Sequence, residues 1–396
     1  MPSNKSLVKI HLLVTAIVLL ACSLFSVPTK TSASPLLNLL AGIPQDPISE
    51  SKGETYFMDA AAMEAAYNIV RPPTAEVFMN EEYAAWWVVG RETLGLIGEA
   101  WLQNETMPEK TGFSPLDIDQ AIQFGSPPSQ GLIFMGNFDA GAIKDAYETN
   151  LDFEPNDFNG TTLWCWTEGC ENGMQTDPGN ALRENPFGGR LGQRQPMIIS
   201  SDLLMASPDL DLVLAHVGAA KGTLSSLADD PTYRAAANAV SKDAYVLQAM
   251  IVNRTGLQQM VNAPPYHLLV MADVVAGDEQ IVRLGLVYRD IESPEMVASA
   301  LLERLASHQS AHFKRPFAEL LTARNVTSPR YFIYQEADRT VVVLEFPTRK
   351  ATLDELAQMV NFYNYKGNAT PPGLVYRLFF QALGMGDLSW LDSIGD

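Results

Sequence analysis

The chain has 396 residues, 47% apolar and 18% charged, which is ordinary globular composition and enough for two or three domains. Its 46 acidic and 27 basic residues give a formal net charge of -19. That field repels phosphate backbones and argues against nucleic acid as a partner.

Residues 1–34 read as a targeting segment. Lys5 and Lys9 form a positive start, and Ile10 to Ala21 is a weakly polar to apolar run. Three fates stay open. Leu19-Leu20-Ala21-Cys22 resembles a lipoprotein box with Cys22 as the acylated residue. Cleavage after small residues near Ala21-Cys22-Ser23 releases an exported protein. Retention leaves an anchor, since Ile10 to Val27 is just long enough to span a bilayer. Each fate places the bulk of the chain outside the cytoplasm, tied to the membrane through its N-terminal segment or secreted.

Residues 35–129 are expected to be a helical region. Met58 to Ile69 is alanine-rich and follows Thr55-Tyr56-Phe57, a candidate short strand. From Glu81 to Leu102, Trp87, Leu94 and Trp101 recur every seven residues and share a helical face. Ser114-Pro115 looks like a helix start and Gly125 a stop.

Residues 130–254 read as a first α+β module. GLIFMGNFD is a strand, AGAIKDAYE a helix, PMIISSDLLMAS a pair of strands, and AYVLQAMIV a last strand. Ser207-Pro208-Asp209 and Asp230-Pro231 each start a helix. The pattern is close to a ferredoxin-like layer, helices on one face of a mainly antiparallel sheet. Residues 265–365 repeat it loosely: YHLLVMADVV and QIVRLGLVYRD make a hairpin, a helix starts at Pro294, and RYFIYQEA pairs with TVVVLEFP. Residues 366–396 are a helical tail. The fold class is therefore α+β, with repeated strand–helix–hairpin modules after a helical start.

Cys165 and Cys170 are the cysteines beyond the targeting segment, and they lack the C-x-x-C spacing of redox and zinc sites. Flanked by Trp164 and Trp166, they fit a disulfide stapling the two arms of a hairpin, with both tryptophans on one strand face. The rival is a thiol or metal site. The Gly/Pro/Asn-rich stretch 176–196 holds Arg183, Arg190 and Arg194. GGRLG there could present N–H groups to an anion, although it lacks the Lys-Ser/Thr of a P-loop; a solvated loop is the plainer reading.

Little else suggests chemistry. G-x-S-x-G is absent, so no nucleophile elbow is marked. His308 and His312 have the spacing of two metal ligands on a helix, but no third ligand is indicated. Asp152, Glu154 and Asn156 begin like a calcium loop, yet Asp157 stands where glycine is required and a polar turn accounts for them. Asp229 and Asp230 are read as helix-capping carboxylates. No metal, no cofactor and no catalytic residue is assigned.

Ser200-Ser201 followed by Ala228-Asp229-Asp230-Pro231-Thr232-Tyr233-Arg234-Ala235-Ala236, within SLADDPTYRAA, resembles a recurring phrase of exported bacterial proteins grouped as a domain of unknown function. The resemblance spans residues 131–350 at most. It implies an extracytoplasmic α+β protein with no catalytic residues to carry over. Three functions follow in order of preference. The first is a non-catalytic envelope protein with a protein partner. The second is a small-ligand-binding lipoprotein using the 176–196 loop and the Trp164/Trp166 hairpin. The third is a hydrolase with an unmarked site.

Overall fold

Runs of one to four strands alternate with runs of one to three helices along the described chain. The computed structural model describes residues 34–46, 53–74, 77, 80–97, 106–127, 129–260, 265–359, 367 and 369–392. In chain order they form α1 (Pro35–Leu40), β1 (Glu54–Asp59), α2 (Ala60–Tyr67), α3 (Ala84–Thr93), α4 (Met107–Thr111), β2 (Ile118–Ser126) and β3 (Ser129–Gly136). Next come α5 (Ala140–Leu151), β4 (Phe153–Phe158), β5 (Thr161–Trp166), β6 (Met197–Ile199), β7 (Leu203–Ala206), α6 (Leu210–Ala220) and α7 (Pro231–Ser241). The rest is β8 (Tyr245–Asn253), α8 (Arg254–Met260), β9 (Leu268–Ala276), β10 (Glu279–Tyr288), α9 (Pro294–Ser307), α10 (Phe317–Thr322), β11 (Arg330–Glu336), β12 (Arg339–Arg349), α11 (Leu353–Gln358) and α12 (Leu374–Gly384).

All twelve strands join one sheet in the order β11-β12-β10-β9-β8-β1-β2-β3-β7-β6-β5-β4. Every neighbouring pair is antiparallel. The protein is thus α+β, and β1 and β8 meet in the middle. Outward from that pair, β1-β2-β3-β7-β6 has the same order of strands as β8-β9-β10-β12-β11.

Both faces are covered. One carries Phe57, Ile122, Phe124, Ile133, Ile251, Val270 and Val343 beneath α1, α6 and α7. Helix α7 lies close to the strands because its buried side is Ala235, Ala236, Ala237 and Ala239, all 0% exposed. Asp230 starts that helix by accepting the Thr232 N–H at 2.7 Å. On the opposite face there are two separate cores. Met58, Ala121 and Phe134 pack with α2, α3, α4, α5 and α11. Met250, Met271, Leu284 and Leu344 pack with α9, α10 and α12. Each buried Leu, Val or Phe contributes about 1.5–3 kcal/mol by leaving water.

Several expectations are corrected. The region 35–129 is not simply helical: it supplies β1 and β2 at the centre of the sheet. Ser114 caps only the short 3-10 turn Pro115–Asp117, and the expected helix up to Gly125 is strand β2. IDQAIQFG lacks a strict two-residue alternation because both sides of the strand meet a core, Ala121 one and Ile122 the other. Asp152 to Asn156 is neither a calcium loop nor a turn. Residues 153–158 form edge strand β4, which tolerates Pro155 because its outer side needs no ladder bond, and the turn is Asn159-Gly160 with φ of 54° and 79°. Of the two aspartates, only Asp230 caps α7; Asp229 instead accepts from the Ser226 N–H and hydroxyl at 2.8 and 2.9 Å.

Cys165 and Cys170 are bonded, with Cα atoms 4.9 Å apart. The staple does not cross a hairpin: it ties β5 to the 3-10 turn Cys170–Asn172, because the chain leaves the sheet at Thr167. Both cysteines are buried, so they belong to the core rather than to an exposed arm. Leu163 and Cys165 do face one core and Trp164 and Trp166 the other. Cys22 and the N-terminal segment lie outside the described residues. Among the described residues, no helix is long and apolar enough to cross a membrane.

Candidate functional site

Where the two cores of the second face fail to merge, a cavity of about 540 Å³ lies over the β1–β8 joint. Period-two alternation aims Tyr56 and Met58 of β1 and Gln123 of β2 into it. Gln248 arrives from β8 beside a bulge in which Leu247 is the extra residue, since Val246 pairs with Val274 and Gln248 with Asp273. The end of α3 contributes Arg91, Glu92 and Thr93, followed by Gly95 and Leu96. From α12 come Tyr376, Arg377 and Phe380. The approach of α12 to α3 needs Gly373 at its start: its φ is +75°, and a Cβ would sit 2.8 Å from the Glu92 carbonyl oxygen.

The wall is aromatic on one side and polar on the other. Phe380 meets Tyr56 edge-on at 6.1 Å and stacks with Tyr376 at 6.2 Å between centroids. The Gln248 amide donates to the Glu92 carbonyl at 3.0 Å and toward Asp273 at 3.4 Å. Asp273 is fully buried behind it, and desolvation raises its pKa to about 6 against the hydrogen bonds from Gln280 and Gln248. Tyr67 closes this polar floor by donating to Gln280 Oε1 at 2.9 Å. Glu92 is bracketed by two guanidiniums, Arg91 at 3.2 Å and Arg377 in direct contact.

A second cavity of about 630 Å³ adjoins on the same face. Gln123 lines both, and Gln130, Gln193, Gln195, Met174 and Leu191 line the second. The 176–196 loop therefore does form a cavity wall, through its glutamines and Leu191 rather than its arginines. Arg183 and Arg190 are exposed. Arg194 is 7% exposed and stacks at 5.8 Å from the Trp166 ring, its Nε without a hydrogen-bond partner. Lys144 lies 5.9 Å from the Trp164 ring. Trp164 and Trp166 line neither cavity, so the structure joins Trp166 to Arg194 but does not gather the five candidates into one site.

The histidines take structural posts. His216 is buried, Nδ1 2.5 Å from the Gly42 carbonyl oxygen, and burial lowers its pKa despite that bond. His308 Nε2 is 3.0 Å from Asp387 Oδ1, and Ser310 donates to Asp387 Oδ2 at 2.5 Å. Serine and histidine thus share a carboxylate instead of bonding each other, which is not the nucleophile–base order of a hydrolase. His308 ends α9 and residues 308–312 are not helical, so the four-residue spacing does not set the two imidazoles on one helical face; the His312 backbone N–H lies 3.4 Å from the same carboxylate.

Tyr56, Gln123, Gln248, Tyr376 and Arg377 were not among the sequence candidates. One signal was present: Gln248 in YVLQAMIVN and Asp273 in LLVMADVVA interrupt otherwise apolar strands, and such residues mark polar ground inside a core.

No family model matches the sequence, and no curated protein sequence is similar to it. Solved structures of TP0453 align over most of their length. Crystal form III gives a TM-score of 0.34 and 9% identity over 81% of this chain and 96% of that one. Crystal form I gives 0.33 and 11% over 84% and 98%. These values are too low to carry any argument about function.

Proposed function

We propose that the chain is an exported, envelope-associated protein that acts by binding rather than by catalysis, with a small ligand in the cavity over the β1–β8 joint. The observation that carries this is the convergence of aromatic, amide and paired charged side chains from five separate elements on one concave space. Its size falls in the range that encloses small organic ligands. Export is supported by the N-terminal pattern, by the Cys165–Cys170 bond, which persists in oxidising compartments, and by the SLADDPTYRAA resemblance. Lipidation at Cys22 belongs to the same proposal; Cys22→Ala should then release the protein from membranes. The repeated-module reading is also part of it, supported by the matching strand orders of the two halves.

The test is a thermal-shift screen of wild type against Gly95→Trp. Gly95 is an exposed lining residue at which an added Cβ meets no described atom within 4 Å, so an indole is admitted there at the rim, where it obstructs the cavity. A compound that raises Tm by several degrees in wild type but not in Gly95→Trp supports binding there. Equal shifts in both proteins, or none across a broad metabolite set, sink it.

A protein partner is the second reading, favoured by β11. It lies at the end of the sheet, and Arg330 and Tyr331 are exposed. An open edge can accept a strand from another chain. A photo-crosslinker at position 331 should yield a discrete adduct in the envelope; its absence rejects this surface.

A further inference from the structure

We infer that the ligand of the central cavity is a small aromatic carboxylate, its acid group held beside Arg377 and Arg91 and its ring against Tyr376 and Phe380. This rests on the binding reading above. Among the lining residues the formal charges are those of Arg91, Arg377 and Glu92, two positive and one negative, in a chain of net charge -19. A guanidinium offers five N–H donors in a planar fork that matches a carboxylate, and Glu92 occupies only part of the fork of Arg377. The Arg377 side chain remains 48% exposed, open to a ligand. Burial and the charge of Arg91 both lower the Arg377 pKa, so a carboxylate against the exposed side of Arg377 favours its charged form.

The rest of the wall selects the body of the molecule. Three rings, those of Tyr56, Tyr376 and Phe380, make a surface on which a planar ring stacks or meets edges. An alkyl chain fits poorly: it would cover the Gln123 amide with groups that cannot hydrogen-bond, at a desolvation cost. The side chain of Gln123 makes no hydrogen bond to a described residue, which leaves it available to a hydroxyl or carbonyl at the far end of the ring.

The experiment is calorimetric titration of the intact protein with 4-hydroxyphenylacetate, 2-(4-hydroxyphenyl)ethanol, tyramine and decanoate. The acid should bind about tenfold or more tightly than the alcohol, with tyramine weakest, as a charge-assisted pair requires. Arg377→Gln should remove the preference for the acid while keeping the alcohol, and Gly95→Trp should abolish both. Added salt should weaken the acid and leave the uncharged alcohol unchanged, a readout on wild type that needs no variant to fold. Equal binding of acid and alcohol, or tighter binding of decanoate, overturns the ligand class while leaving the cavity a binding site. No binding by any of the four likewise overturns the ligand class, and the thermal-shift screen then decides separately whether the cavity binds a ligand of another kind.

Discussion

The Asp273 carboxylate receives its two shortest hydrogen bonds from a single side chain, the Gln280 amide, whose Nε2 lies 2.9 and 3.0 Å from its two oxygens. Both residues sit on adjacent strands, β9 and β10, on the face beneath α12. The donors to Asp273 are neutral amides, so burial prevails and its pKa rises to about 6.

The sign of the pH effect follows. The folded protein holds this proton more tightly than the unfolded chain, whose aspartates titrate near about 4. The contribution is complete below that pH and is lost as pH rises through 6. Asp273→Asn cannot ionise, so its stability relative to wild type should improve by on the order of 1–3 kcal/mol between about pH 4 and neutral pH, from a start lowered because its Nδ2 faces the Gln280 and Gln248 amide donors. At about pH 4, where the linkage advantage vanishes, the variant should be the less stable of the two. Urea midpoints across this interval decide it; parallel curves would show that Asp273 is ionised at no cost. Asp59, whose pKa burial also raises to about 6 despite its bonds from Ala62 and Gln120, keeps part of the slope in the variant.

Arg283 and Glu345 form a buried pair at 3.0 Å, with side chains 6% and 7% exposed. Arg283 also donates to the carbonyls of Val240 and Lys242 at 2.8 and 2.7 Å, which holds the end of α7 on the sheet. Glu345→Ala should cost about 3–5 kcal/mol because it strands a buried cation. The double variant Arg283→Met/Glu345→Leu should recover much of that loss, and chemical denaturation of all three proteins measures it. A double variant as unstable as the single one would mean that the carbonyl bonds, not the charge pair, dominate.

Gly131 pairs with Phe124 across β2 and β3, and a Cβ at Gly131 would overlap the Cζ tip of the Phe124 ring. The ring is fully buried, so it has nowhere to go. Gly131→Ala should therefore destabilise by about 1–3 kcal/mol through overpacking. Adding Phe124→Leu should return part of it, giving a favourable coupling in a double-mutant cycle. Purely additive losses would show that the glycine is kept for its backbone instead.

With Cys165 and Cys170 bonded, alkylation of the full chain without reductant should add at most one group, at Cys22. Two or three groups would show free thiols. The loop closed is only five residues in sequence separation, so Cys165→Ala/Cys170→Ala should cost about 2 kcal/mol and act locally on β5.

Local chemistry was legible in the sequence wherever a few adjacent residues decide the outcome. Asp209 and Asp230 cap helices, the turn at Gly277 joins β9 and β10, and the alternation around Cys165 sorts sulfur and tryptophan onto opposite faces, because caps, turns and strand parity are short-range effects. The 114–125 stretch misled because Ser114-Pro115 is a true cap whose helix stops after one turn; pairing of β2 with both β1 and β3 outweighs the local start signal. Of the cavity, only the polar Gln248 and Asp273 inside apolar strands gave a sign. Tyr56, Gln123, Gln248 and Arg377 lie far apart in the chain, and only the meeting of β1 with β8 brings them together. Sequence periodicity tells which side of a strand is buried, but the neighbour across it, and the gap left where two cores do not join, are set by the tertiary fold.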